Sequence, residues 1–225
     1  MTKPAVQWSY SSWKCFKNCP KQYYHYFVVK DAKTFGDAKS SSYGTDFHEA
    51  VETSLKESTP LPAAFQQFQP HVEAIRKWPG KPLIEYKMAL GPDLKPCFFF
   101  DKNYFVRGVV DVAKVDGQKA RVLDWKTGKS AKYADPKQLE LMSLMVFSHF
   151  PEVEKVQAGL MFIVPDKLVP EKYDRKEVPE RWQGWLYDIH RMEVAFKTGV
   201  FNPSPNGLCR AHCNVMDCPH NGKNR

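Results

Sequence analysis

Residues 104–130 read YFVRGVVDVAKVDGQKARVLDWKTGKS and carry two carboxylates, Asp111 and Asp124, and one ammonium, Lys126. Asp and Lys are both disfavoured inside β-strands, yet β-branched and aromatic residues surround all three. Two carboxylates together can hold a hard divalent ion such as Mg²⁺ or Mn²⁺. An ammonium beside them can orient or help deprotonate a water and stabilise developing negative charge. That set suits hydrolysis of a phosphodiester, whose own negative charge repels hydroxide. The plainer alternative is a solvated charge pair on an exposed strand edge.

The surrounding residues say which elements position the three. Phe105, Val106, Val109, Val110 and Val112 predict one strand, and Asp116-Gly117 a two-residue hairpin turn. Residues 121–126 predict the second strand, ending at Thr127-Gly128. The period of 2 puts Asp124 and Lys126 on one strand face. Asp135-Pro136 predicts a helix start, with Asp as cap and Pro at the first position. Residues 138–150 are apolar nearly all round, so that helix is buried. It carries Gln138 in its first turn, close to the strand end that bears Lys126. Residues 155–164 predict another strand. Strand, buried helix and strand form a crossover unit with parallel strands.

Upstream, residues 43–52 predict a helix capped by Thr45, with His48 and Glu52 on one face. A helical His of this kind is either a metal ligand or a satisfied structural residue. Residues 33–42 read as a polar loop. Residues 83–90 alternate as a strand, where Glu85 could contribute near the site, although exposure is the favoured reading. Residues 58–80 contain four prolines and predict a helical insertion, with short helices over 63–69 and 71–78. Cys97, beside three phenylalanines, reads as a buried apolar thiol. Residues 9–29 predict an aromatic helix whose rings interleave with Lys14, Lys17 and Lys21. Such rings can stack bases while ammonium groups hold phosphates. The reading favoured for most of them is a core helix with snorkelling lysines. Downstream, residues 165–180 read as a charged loop. Residues 181–197 predict an amphipathic helix closed by Gly199, with Trp182, Trp185, Leu186, Ile189 and Phe196 docking on the sheet.

The chain has 225 residues, a natural length for one domain with decorations, and 43% are hydrophobic, enough for a sizeable core. The net charge of +8 suits a partner that is a polyanion. No apolar run resembles a signal peptide or a membrane span. The six cysteines are therefore expected in a reducing compartment, as metal ligands or free thiols. Cys209, Cys213 and Cys218 lie in a loop-rich tail, residues 201–225, with little core of its own. Their closeness favours metal binding over packing.

The pattern from Gly108 to Asp111, then Asp124-Trp-Lys126-Thr-Gly, then Gln138 resembles the PD-(D/E)xK nucleases. It is most similar to the RecB-like branch, which includes the RecB and AddB nuclease domains, CRISPR-associated adaptation exonucleases and many phage exonucleases. Gly44, His48 and Glu52 are similar to the histidine motif of that family. The resemblance implies an α/β fold, a central mixed β-sheet flanked by helices around a restriction-endonuclease-like core, with helical additions at both ends. It implies that Asp111, Asp124 and Lys126 are catalytic. It implies that His48, Asp111, Asp124 and the Trp125 carbonyl ligate Mg²⁺ or Mn²⁺. Gln138 resembles the start of the family's Q-x-x-x-Y motif and would contact substrate, although Met142 replaces the tyrosine.

Ser9 to Ser11 and the Cys19-Pro20-x-x-Tyr23 step resemble the N-terminal signature of the branch. In its iron–sulfur members one N-terminal cysteine joins three near the C-terminus. This implies a [4Fe–4S] cluster on Cys19, Cys209, Cys213 and Cys218. The tail departs from the family's usual C-x2-C start, and His212, His220 or Cys15 could replace Cys19, the histidines in a Zn²⁺ site. The activity implied is metal-dependent exonuclease action on DNA ends in recombination, repair or phage DNA processing. DNA is the implied partner, with recombination or replication proteins beside it, in the cytoplasm. The alternative is a non-hydrolytic nucleic-acid-binding or scaffolding module on the same fold.

Overall fold

In the computed structural model, residues 6–32 and 38–224 are described. The β-branched runs form five strands: β1 (Lys81–Leu90), β2 (Val106–Asp116), β3 (Lys119–Lys126), β4 (Lys155–Phe162) and β5 (Lys167–Asp174). They make one sheet in sequence order, β1-β2-β3-β4-β5. Only β3 and β4 run parallel, so the sheet is mixed. Between them the chain crosses over through α5 (Lys137–His149), in which residues 139–147 are all buried. The α/β architecture and the strand–helix–strand unit are as the sequence implied.

Helices cover both faces. α1 (Tyr10–Asn18), α5 and α6 (Val178–Thr198) share one apolar layer with the sheet, built on Trp8, Leu144, Leu160 and Trp185. α3 (Ala38–Glu57), a 3-10 turn (Ala63–Phe68) and α4 (Gln69–Arg76) share the other, built on Phe47, Phe68, Leu123 and Trp125. In the first layer Trp8 stacks on Trp185 at 5.4 Å between centroids, and Trp13 meets the same ring at 4.5 Å. The aromatic segment is thus mainly core, with Trp13, Phe16 and Tyr23 buried. No helix among the described residues is long and apolar enough to cross a membrane.

Several local expectations are corrected. The aromatic helix is not continuous. It breaks at Cys19, which is extended (φ −162°, ψ 107°), and resumes as α2 (Pro20–Tyr23) and a π-helical turn (Tyr24–Val29). Pro20 is the cause, because it has no N–H for the ladder and disfavours a helical residue before it. The hairpin turn lies one residue later than expected. Asp116 pairs with Lys119, so Gly117-Gln118 turn the chain, and Gly117 takes the positive φ (54°) that such turns need. α3 already includes residues 38–42, so Thr45 lies inside the helix and does not cap it; residues 33–37 of the expected loop lie outside the described residues.

α4 begins two residues before the predicted helix because Pro70 sits in its first turn, where no N–H is required. Residues 167–174 are strand β5, not loop. Pro170 is tolerated there because an edge strand leaves one row of N–H groups unpaired. α6 packs with α1 and α5 in the layer on the sheet, where Trp182, Trp185 and Ile189 are buried as expected. Leu186 is exposed, and Phe196 lies over Tyr23 and Phe201. Cys97 is half-buried, not buried.

Candidate active site

The site forms where the regular β-ladder opens. Pairing of β2 with β3 runs from Asp116–Lys119 to Val112–Leu123 and stops. Beyond that point the Asp111 side chain replaces the strand backbone, and its Oδ2 accepts the Trp125 N–H at 2.8 Å. Alternation fails at the same level. Val110 belongs to the layer under α5 but Val112 to the layer under α3. β1 slips in step, with Ile84 on the α3 side and Tyr86 on the other. Between them stands Glu85 at φ 49°, at the level of Asp111 and unpaired, while Ile84–Val112 and Tyr86–Val110 pair on either side. The double slip brings Asp111 and Glu85 into the open cleft that His48, Glu49 and Glu52 line from α3. α3 comes close to the D-x-K-T-G turn because residue 44 is glycine. A Cβ there would sit 3.1 Å from the Thr127 hydroxyl oxygen.

On the other side of β3 the period-2 pattern holds. Lys126 Nζ lies 2.5 Å from Asp124 Oδ2, as predicted for one face. Gln138, in the first turn of α5, links both: its Nε2 donates to Asp124 Oδ1 at 2.6 Å and its Oε1 accepts from Lys126 Nζ at 2.8 Å. Asp124 is only 3% exposed, so this polar triangle fixes its carboxylate within the fold. α1 reaches nearby, where Lys14 Nζ pairs with Asp135 Oδ2 at 3.1 Å.

Burial and like charge dominate the electrostatics. Burial holds the Asp111 carboxyl well above the usual carboxylate range, and the charge of Asp124 adds to the effect. Asp124 is also raised by burial, with Lys126 opposing. Burial raises Glu85, with Glu52 adding to it. Burial lowers His48 and Lys126 pushes the same way, against Asp124 and the Trp125 carbonyl. The His48 Nδ1 stands 3.4 Å from Asp111 Oδ2. Ligand atoms of His48, Glu85 and Asp111 all lie within 4.8 Å of one another. One imidazole and buried, mutually repelling carboxylates fit a divalent cation, which supplies the positive charge that the cluster lacks.

The structure therefore brings His48 and Asp111 together on the α3 side of β3 and Asp124, Lys126 and Gln138 together on its α5 side, with the Trp125 backbone between them. The exposure favoured for Glu85 is corrected: it is half-buried beside His48 and Asp111, near the site as the less favoured reading had it. A signal was present. In LIEYKMAL the apolar phase slips, with Leu83 and then Tyr86 and Met88 on the core side, so the residue at the slip is displaced from the regular pleat.

A second cluster lies at the joined chain ends. Cys19, Cys209, Cys213 and Cys218 line one small pocket with Lys21 and His220, and none of the six cysteines is in a disulfide. Backbone N–H groups of Ser204 and Asn206 point at the sulfurs of Cys19 and Cys209, each at 3.4 Å. Burial pushes the Cys213 thiol up, with the other three cysteines adding to it. Burial also pushes the Cys15 thiol up to about 12, with Cys19 and Cys213 adding to it.

A family model for the PD-(D/E)XK nuclease superfamily matches residues 7–218. The chain belongs to this superfamily. The PD-(D/E)XK nucleases are metal-dependent, in keeping with the His/Glu/Asp group. This PD-(D/E)XK chain is similar to a solved structure from Eubacterium rectale described as a "putative exonuclease". That match has 12% identity and a TM-score of 0.51, over 98% of this chain and 89% of the other. Another solved structure, of SSO0001, matches at 15% identity and a TM-score of 0.45, over 97% of this chain and 88% of that one. No curated protein sequence matches the chain.

Proposed function

We propose that this nuclease hydrolyses phosphodiester bonds at DNA ends, as an exonuclease of recombination, repair or phage DNA processing. The observation that carries the reading is the convergence of His48, Asp111, Asp124, Lys126 and Gln138 where the β2–β3 ladder opens. His48, Asp111, Asp124 and the Trp125 carbonyl would hold Mg²⁺ or Mn²⁺. When bound, such an ion neutralises phosphate charge and activates water. Lys126 orients the attacking water and donates to charge developing on the phosphate. Gln138 holds Lys126 and Asp124 in register and presents an amide to the substrate backbone. The net charge of +8 supports a polyanionic substrate. The resemblance to RecB-like exonucleases favours DNA ends, as does the E. rectale structure described as a "putative exonuclease".

The test uses end-labelled single- and double-stranded DNA beside a closed circle, with Mg²⁺ or Mn²⁺. Linear DNA should be degraded while the circle persists. Cutting of the circle would make the enzyme an endonuclease, and binding without cutting would make it a scaffolding module.

The same reading gives Cys19, Cys209, Cys213 and Cys218 a [4Fe–4S] cluster in a reducing cytoplasm. The four thiols come together in one pocket where the two ends of the chain meet, which supports one shared centre. Anaerobically purified protein should be brown, with about four irons that Cys19→Ser removes. Colourless protein with stoichiometric zinc would put zinc in that place.

A further inference from the structure

We propose that Glu85, the β1 residue across from Asp111, is itself a ligand of the divalent ion. This rests on the metal-dependent reading above and adds to it a residue that the motif resemblance does not contain. Three observations carry it. The first is geometric: a Glu85 carboxylate oxygen lies within 4.8 Å of ligand atoms of both His48 and Asp111, inside the range that one cation spans. The second is the absence of any other employment. Among the described residues the Glu85 side chain has neither a hydrogen bond nor an ion pair, although it is half-buried. A half-buried carboxylate without a donor is unfavourable unless something else satisfies it.

The third is placement. Glu85 takes a left-handed backbone (φ 49°) in the middle of a strand, which a non-glycine residue rarely adopts. Its strand neighbours on both sides pair normally with β2, so the departure is confined to this one residue. The departure sends the carboxylate toward Asp111 and His48, with Glu49 and Glu52 across the same cleft. An anion turned toward other anions, in a conformation that glycine would adopt more easily, is unfavourable for the fold, and Lys56 and Lys87 oppose burial and Glu52 without reversing the rise. Each of these features becomes favourable once a cation sits among the carboxylates.

The test is Mn²⁺ binding by the whole protein, read as the loss of the free-ion electron paramagnetic resonance signal. Melting temperatures of the metal-free samples are taken alongside. Glu85→Gln keeps the shape and removes the charge, and Glu85→Gly also releases the backbone. Both should bind Mn²⁺ at least tenfold more weakly. Their metal-free melting temperatures should equal or exceed that of the wild type, with Glu85→Gly the higher. Wild-type Mn²⁺ affinity in Glu85→Gln would overturn the assignment and leave the metal-dependent reading standing. Weaker binding with a lower melting temperature in both variants would also overturn it, making Glu85 structural. A wild-type protein that binds no Mn²⁺ would remove both readings together, so the control separates the two failures.

Discussion

Two sets of buried carboxylates, both in contact with α5, have opposite characters. Glu140, 8% exposed, is fully engaged. Its oxygens accept from Lys137 Nζ at 2.6 Å, Arg181 at 2.7 Å and the Trp185 indole at 2.9 Å. Arg181 is held in turn by Glu177. Asp124 is equally buried and Asp111 and Glu85 partly so, yet the three share one ammonium, the Gln138 amide and one backbone N–H among them. Burial raises all three. Burial alone therefore does not tell function from structure. The balance of donors does: a carboxylate matched by donors fixes α6 to α5, whereas a set short of positive charge is made to receive it from outside.

The largest effect expected from this contrast is on catalysis. Asp124→Ala and Lys126→Ala should each lower DNA cleavage by roughly three orders of magnitude or more. Binding to DNA should persist because it is spread over many phosphate contacts. Single-turnover cleavage and a filter-binding isotherm on the same samples check both halves. Near-normal cleavage by either variant would remove the catalytic assignment.

Stability should respond the other way round. Glu140→Ala leaves Lys137 without its anion, Arg181 with Glu177 alone and the buried Trp185 N–H without an acceptor, and should cost about 2 kcal/mol in urea unfolding. Asp111→Asn keeps an oxygen for the Trp125 N–H and removes a repelled charge. Its metal-free melting temperature should stay level or rise, where each kcal/mol is worth about 2–4 °C at this chain length. A large loss of metal-free stability in Asp111→Asn would erase the distinction between the two sets.

The contrast sharpens with pH. A carboxyl raised in the folded state binds more protons there than in the unfolded chain. Its stabilisation is complete below the unfolded value and is lost as pH rises through the raised folded value. Metal-free protein should therefore lose stability as pH climbs out of the ordinary carboxylate range. The melting-temperature gain from Mg²⁺ or Mn²⁺ should grow over the same interval. A gain independent of pH would show that the ion does not sit among these groups.

His48→Ala is the smallest expected change. If the imidazole is a ligand, half-maximal cleavage should need about tenfold more metal, and the Mn²⁺ to Mg²⁺ preference should fall. If it serves only packing, the melting temperature falls and the metal titration does not move.

Much of this was legible in the chain because it is local. Period-2 alternation places Asp124 beside Lys126, and the Asp135-Pro136 helix start places Gln138 within reach of both. Other features depend on tertiary structure. Nothing in residues 165–180 distinguishes a loop from the edge strand β5, since Pro170 argues against a strand until the sheet shows it at the rim. The slip at Glu85 shows in the phase of LIEYKMAL, but that it turns toward Asp111 depends on β2 slipping in step, which one strand cannot report. The break at Cys19 was readable from Pro20, but the aromatic pattern running through it concealed the signal.

The compact spelling of the site has a consequence for how the chain reaches its working state. Asp111 meets Trp125 across 14 positions, Gln138 meets Asp124 across 14, and Lys126 meets Gln138 across 12. Closing loops this short is entropically cheap, and lengthening them costs only logarithmically more. One tight hairpin and one crossover therefore assemble the charged centre from a single contiguous run. Only His48 and Glu85 must arrive from farther along the chain. The repulsion among Asp111, Asp124 and Glu85 is thus divided between one contiguous run, which holds the aspartate pair, and β1, which brings the third carboxylate.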